Sequence, residues 1–242
     1  ERFRHDRRVA AAIQMLFLRA SGRPMDRFAS VPKTLLRSVC DAFQSSGVSI
    51  ASLRSLYARR QTLYEHQAWA RTYLGLQELD ESHTEKLQKV LAVAALEAAH
   101  PDDLAETVRL WLYERRIVIP GPRRVADWAR QAFDATEAAM ATTIEAWLGK
   151  AVLLKAIDWS YASQDGTAAS HLEWLKTPPK RHSPSTMDET LEKIRALKEL
   201  GVNDWPLDAV PLSKQQAYAA HVQMRRPSMT ARIERQRQIV EI

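Results

Sequence analysis

Helical spacing constrains this chain more than any other feature of its sequence. Apolar residues recur at intervals of three and four between helix start and stop residues, and strand-like alternation is nearly absent. Val9, Ile13, Leu16 and Phe17 mark a helix over 5–20, ended by Gly22-Arg23-Pro24. Pro32 opens a second helix with the stripe Leu35, Leu36, Val39, Cys40 and Phe43, and Gly47 is expected to stop it. A short helix follows over about 50–57, and a longer one over about 60–74 closes at Gly75, a residue suited to a left-handed cap.

The same punctuation continues. Ser82 and Glu85 have the spacing of a capping box opening a helix that runs to about Ala99. Pro101-Asp102-Asp103 starts the next, which buries Leu104, Val108, Trp111 and Leu112. Ile117 to Pro122 reads as a short extended turn, and a long helix over about 122–147 turns Val125, Trp128, Ala132, Ala139 and Met140 inward. Residues 160–170 and Thr177 to His182 are loop-like. Ser183 caps a helix with Pro184 in its first turn and Gly201 at its end, Ser213 and Gln216 form another capping box, and a last helix starts near 229. The expectation is an all-α chain of nine or ten helices without significant β-sheet. It divides into a basic subdomain over 1–76, a second helical subdomain over 77–160 and a third over 161–242.

With 242 residues and 45% apolar content the chain can bury a core. Its single cysteine, Cys40, excludes an internal disulfide, reads as a small buried hydrophobe, and fits a reducing, intracellular setting. The run from Val9 to Leu18 follows Arg7-Arg8 as in a signal peptide, but it is too short to span a bilayer and Gln14 interrupts it. The chain starts at Glu1 without a Met and is expected to be part of something longer. The net charge of +6 is unevenly distributed. Residues 1–75 hold 13 Lys and Arg against 5 Asp and Glu, residues 76–170 hold 10 against 15, and residues 171–242 hold 12 against 9. A basic excess gathered at one end is the footprint of a polyanion binder, although a solvated basic face would give the same count.

The segment 33–74 has the order helix, glycine turn, short helix, basic turn, longer helix, which suits a helix-turn-helix whose last helix enters the major groove of DNA. On that last helix Leu63, Ala70, Tyr73 and Leu74 share one face, and Arg60, Tyr64, Gln67 and Arg71 share another that offers donors and a ring but no acid. Its lead, Arg59, Arg60, Gln61 and Thr62, is the part such a helix places nearest base edges, where Arg suits guanine and Gln suits adenine. Arg37 and Arg54 are candidate phosphate contacts. A second basic cluster pairs Arg115 and Arg116 with Arg123 and Arg124, and a third joins Lys180 and Arg181 ahead of a helix start. Enzyme signatures are missing. The seven His are scattered, no His-Glu-x-x-His or Cys-x-x-Cys spacing occurs, and there is neither a glycine-rich phosphate loop nor Gly-x-Ser-x-Gly. No catalytic residue, metal or cofactor is expected, and most of the seven Trp read as core.

Five separated strings resemble the N-terminal region of Tn3-family transposases. Arg8 to Arg19 followed by Gly22-Arg23 is similar to that family's Arg-Leu-Gly-Phe-Ala-x-Gln-Leu-x-x-Leu-Arg-x-x-Gly pattern, and Pro32 with its Leu-rich helix matches as well. Arg59, Gln61, Thr62, Glu65 and His66 fall on its Arg-Glu-Gln-Thr-Arg-Arg-Glu-His string. Arg115 to Gly121 and Leu172 to Pro179 resemble two further segments. Arg60 stands where the family has an acid, Leu63 and Tyr64 replace two arginines, and Ala11 occupies a Gly-like position; Leu63 is expected to pack inward. The resemblance implies a helical region that binds the terminal inverted repeats of a transposon and helps pair its ends. Catalysis would reside in an RNase H-like domain outside these 242 residues. It further implies duplex DNA as partner, no membrane, a homodimer of the full-length protein, and a cytoplasmic, nucleoid-associated bacterial location. The competing expectation is a helical protein-interaction or assembly module whose basic face is only solvated.

Overall fold

The computed structural model describes residues 3–25, 31–45, 47–163, 169–179, 181 and 183–224. Among them are eleven α-helices, two short 3-10 helices and no strand, as the helical spacing requires. The chain folds as two units, each drawn from two stretches: Glu1–Leu91 with Ala105–Ala129, and Ala92–Leu104 with Arg130–Ile242.

In unit 1, α1 (His5–Ser21) ends where Gly22 takes φ 70° and its N–H returns to the Leu18 carbonyl. The helix packs against α4 (Arg60–Leu74) and α2 (Lys33–Ala42), and α3 (Ile50–Tyr57) packs against α4. Val9, Ala10, Ile13, Val39, Leu53 and Leu63 lie in one core. Leu63 therefore packs inward, as expected, and Cys40 is only half-buried against that core, where desolvation and then Asp41 raise its thiol pKa. Gln14, which breaks the apolar run of α1, is wholly buried. In the amide orientation that satisfies both its ends it donates to the Met25 carbonyl and accepts from the Met25 N–H.

Later elements of unit 1 converge on the end of α1. The stretch after α6 (Pro101–Glu114) runs extended and forms a parallel bridge between Ile117 and Gln77. The Ile119 N–H donates to the Gly22 carbonyl at 2.8 Å, and the Tyr113 hydroxyl donates to the Arg19 carbonyl at 3.2 Å. A methyl group on Gly22 would lie 2.6 Å from Ile119 Cδ1, so this position needs glycine for its backbone angle and for its closeness to Ile119.

Unit 2 takes in most of α7 (Pro122–Leu148), α8 (Lys150–Tyr161), α9 (His171–Lys176), α10 (Pro184–Leu200) and α11 (Leu212–Met224). Ala141, Leu153, Ile157 and Tyr218 form its core. Within it Lys214 is fully buried. Its ammonium sits 2.7 Å from Glu137 Oε1 and 4.1 Å from the centre of the Phe133 ring, and the Tyr218 hydroxyl donates to the same carboxylate oxygen. Elsewhere in unit 2 Lys193 donates to the Thr177 carbonyl at 2.6 Å while facing the Trp174 ring.

Several expected details are corrected. The α2 helix stops at Ala42, ahead of Gly47, because Gln44 takes φ 50° and the Ser45 N–H closes back on the Cys40 carbonyl. Asp80 rather than Ser82 starts α5 (Glu81–Ala94), its carboxylate accepting from the His83 N–H at 2.8 Å, and the helix ends short of Ala99. Ser213 lies inside α11, which begins one residue earlier. Gly149, at φ 77°, separates α7 from α8, and α8 covers residues up to Tyr161. Ala139 is exposed. Trp111 alone among the Trp residues is fully buried, and Trp147 is 45% exposed. The helix expected from 229 onward lies outside the described residues.

Lys214→Met is expected to destabilise unit 2 by about 3 kcal/mol, since it strands the largely buried Glu137 charge without its cation. Lys214→Met with Glu137→Leu should recover most of the loss, and denaturant unfolding of both variants checks it.

Candidate nucleic-acid interface

The order of α3 and α4 sets the candidate surface. Ser49 caps α3, accepting from the Ser52 N–H at 3.1 Å while its own N–H donates to Ser52 Oγ at 3.0 Å. After Tyr57 the chain turns through Ala58, and Arg59 takes an extended conformation at the cap of α4. The first turn of α4 carries no acid. Helix α4 buries Thr62, Leu63, His66 and Ala70, which fixes its rotation about its own axis.

A buried polar group locks that rotation. The Tyr57 hydroxyl donates to the Ala10 carbonyl at 3.2 Å and lies 3.0 Å from His66 Nδ1. The carbonyl can only accept and the hydroxyl has one proton, so His66 Nδ1 is the N–H that donates to Tyr57. The opposite ring nitrogen, Nε2, has no hydrogen-bond partner among the described residues. Phe3 and Tyr57 both meet the His66 ring edge-on, at 4.6 and 5.5 Å between centres. Burial first, and the nearby Arg7 charge second, lower the His66 pKa to about 4 against an opposing pull from Glu65, while burial drives the Tyr57 hydroxyl well above its ordinary value.

The surface left by this packing differs from the expected one. Arg59, Arg60, Gln61 and Tyr64 are exposed, Tyr64 by 59%, with Gln61 donating to Glu65 at 3.1 Å. Thr62 is 4% exposed and faces the interior, so its side chain is withdrawn from any partner on this face. Gln67 Nε2 is engaged with the Met25 carbonyl at 3.1 Å. Arg71 is ion-paired with Glu78, which reaches it from beyond the helix. The four-residue face expected to be free of acid thus narrows to its N-terminal half, because tertiary contacts claim Gln67 and Arg71. Arg37 and Arg54 are exposed on α2 and α3.

The second basic cluster also belongs to unit 1. The Arg115 guanidinium lies 4.4 Å from the centre of the Trp111 ring, and Arg124 lies 4.8 Å from that of Trp128. Arg123 and Arg116 are exposed, the latter at φ 55°. Arg116 shares a cavity of about 550 Å3 with Arg19, Tyr73 and Leu74, so this cluster reaches the C-terminal end of α4. In the third cluster Arg181 is exposed in unit 2, and Lys180 lies outside the described residues. Nothing in the spacing singles out His5 and Arg7. Both line one groove with Arg59, because α1 packs on α4.

Residues 1–132, rather more than half of the chain, match a domain family described as Domain of unknown function (DUF4158). The chain belongs to that family. It is 30% identical over 237 residues to "Transposase for insertion sequence element IS1071 in transposon Tn5271" of Comamonas testosteroni, a match covering 97% of this chain and 24% of that relative. It is 24% identical over 200 residues to "Transposase for transposon Tn1546" of Enterococcus faecium, covering 82% of this chain and 20% of that relative. The chain spans about a quarter or less of the length of these two relatives. They support a transposase region, and the Tn3-family placement is consistent with them. The DUF4158 match ends just past Ala129, so all of unit 1 lies within it.

Three of the strings that carry the Tn3-family resemblance meet inside the DUF4158 region as framework. Ala10 of the Arg8–Arg19 string and His66 of the Arg59–His66 string are joined through Tyr57, and Gly22 is joined to Ile119 of the Arg115–Gly121 string.

A buried His with a lowered pKa has a definite signature. The unfolded chain takes a proton on His66 near pH 6.5 and the folded chain only near pH 4, so stability is complete above the first value and falls with pH between them. The loss is expected to be on the order of 2–3 kcal/mol. Urea unfolding at steps across that range should show it in the native chain and not in His66→Gln.

Proposed function

We propose that this chain binds duplex DNA at the terminal inverted repeats of a transposon, as the N-terminal part of a Tn3-family transposase. The full-length protein would cut and join DNA with an RNase H-like domain outside these residues. The single observation that carries the reading is the start of α4. Arg59, Arg60, Gln61 and Tyr64 stand exposed on one helix end whose opposite side is anchored by Leu63, His66 and Ala70. A helix held in this way after a short helix and a turn has the order of a helix-turn-helix, which presents its N-terminal residues to base edges in the major groove. Arg60 and Gln61 carry the donor and acceptor groups that distinguish guanine and adenine there, and Tyr64 adds a ring one turn on. Arg37 and Arg54 on α2 and α3, and Arg116 and Arg123 toward the other end of α4, would supply phosphate contacts, which furnish affinity without sequence information.

A second reading, an assembly module, draws on α10, where Met187, Leu191 and Ile194 are exposed at helical spacing. It concerns unit 2 and is compatible with DNA binding by unit 1.

The test compares the 242-residue chain with Arg60→Ala and Tyr64→Ala, using labelled duplexes that carry either the terminal repeat of the encoding element or a random sequence. Each variant is expected to weaken terminal-repeat binding about tenfold or more, within the 1–3 kcal/mol of a base contact, and random-duplex binding much less. Equal losses on both duplexes would remove the base-reading role. Binding that is absent, or insensitive to salt, would favour the assembly reading.

A further inference from the structure

Unit 1 holds an open cavity of about 930 Å3 that no sequence motif marks. Its walls come from four places: His5 and Arg7 at the start of α1, Ser45 after α2, Ser52 and Ser55 on α3, and Arg59 at the cap of α4. None of the described residues lining it carries a carboxylate. Some Arg and Lys side chains of this protein have an acid or an indole close by, as Arg71, Arg109, Arg124 and Lys214 do.

Arg7 is different. Its Nε is sealed from solvent and has no hydrogen-bond partner among the described residues. That sealed nitrogen lies out of reach of the cavity, and Arg7 contributes to the cavity as one of its lining residues, bringing a positive charge to that wall. The other lining groups are polar: the Ser45 hydroxyl, which donates to the Phe43 carbonyl, lies 3.3 Å from His5 Nε2, Ser55 offers another hydroxyl, and Arg59 brings a second cation. Two arginines and several hydroxyls around a space whose described lining holds no acid fit an oxyanion with more than one acceptor oxygen.

We propose that this cavity seats a phosphodiester of the DNA backbone, with Arg7 and Arg59 as its cations and His5, Ser45 and Ser55 as hydrogen-bond partners. The inference rests on the DNA-binding reading above and adds the place where the backbone is gripped. The volume exceeds that of one phosphate group and leaves room for the flanking sugars. Arg59 immediately precedes Arg60 and Gln61, so a phosphate held here lies next to the residues assigned to base edges and sets their register on the duplex.

A free phosphate ion has the same chemistry, and the test separates the two sources. Duplex binding by the 242-residue chain is followed by fluorescence anisotropy over a salt series, for the native chain, Arg7→Gln and Arg59→Gln, with Arg195→Gln on α10 as a control. Each of the first two variants is expected to lower the slope of log K against log salt by about one and to weaken terminal-repeat and random duplexes alike, because a phosphate carries no sequence information. The control should change neither. Arg59 is an exposed cap residue, so its replacement leaves the core intact and keeps the test decisive should Arg7→Gln fail to fold. If the native chain binds duplex with a steep salt dependence and both variants keep its affinity and slope, the cavity assignment falls and the function proposed above stands. If the native chain binds no duplex, both fall. A titration of the native chain with inorganic phosphate, read on the His5 ring signals, supplies the other arm. Saturation by phosphate alone, with duplex binding unchanged in the variants, would make the occupant a free anion and overturn the backbone assignment.

Discussion

Unit 1 depends on the seating of α1 against α4. Ala10 and Ala70 are wholly buried, small side chains that let two helix backbones approach, and a single tyrosine hydroxyl from α3 then joins the two through the Ala10 carbonyl and His66. A polar group at that depth is costly unless its partners are in place, so the packing has one favourable register. Gln14 extends the same logic one turn along α1. Its buried amide, together with Gln67 from α4, holds the backbone of Met25. With α1 placed, its C-terminal glycine becomes the docking point for Ile119, and the extended stretch after α6 is tied down.

This arrangement decides which part of α4 can meet a partner. Burial of Leu63, His66 and Ala70 leaves the beginning of the helix outward, while Gln67 and Arg71 are claimed by Met25 and Glu78. The cations of unit 1 are therefore used in two ways. Some cations are fixed by protein contacts, as Arg71 by its ion pair and Arg115 and Arg124 by their indoles. Others, Arg59 and Arg60 among them, stand at an exposed helix end. Unit 2 follows a different principle, with one buried ammonium, Lys214, shared among a carboxylate and aromatic rings at its centre.

Much of the helical framework was legible in the sequence because its signals are local. Apolar spacing within one helix, Gly22 and Gly75 in left-handed caps, and Ser183 with Pro184 at a helix start all act over a few residues, and each takes its expected place. The failures were also local but involved competition. Ser82 and Asp80 can both cap the same helix, and the carboxylate takes the role. Gln44 ends α2 in a conformation that glycine usually occupies, a choice that composition does not reveal. The long helix ends near 147 as expected, and the helix missed by the reading is α8, which begins directly after Gly149.

The strings shared with Tn3-family transposases looked like binding signatures, yet several of their members are structural. His66 and Gly22 hold helices and loops together rather than facing outward. By itself the sequence determined that this chain is helical, where most of its helices lie, which end is basic, and which family it resembles, because these follow from short-range spacing and residue counts. The tertiary structure alone decided which cations are engaged by acids, as Arg71 is by Glu78, and which residues stand together. Arg7 and Arg59 are far apart in the chain and share one cavity only because α1 lies on α4, a contact encoded in the shapes of two buried faces and in no spacing along either.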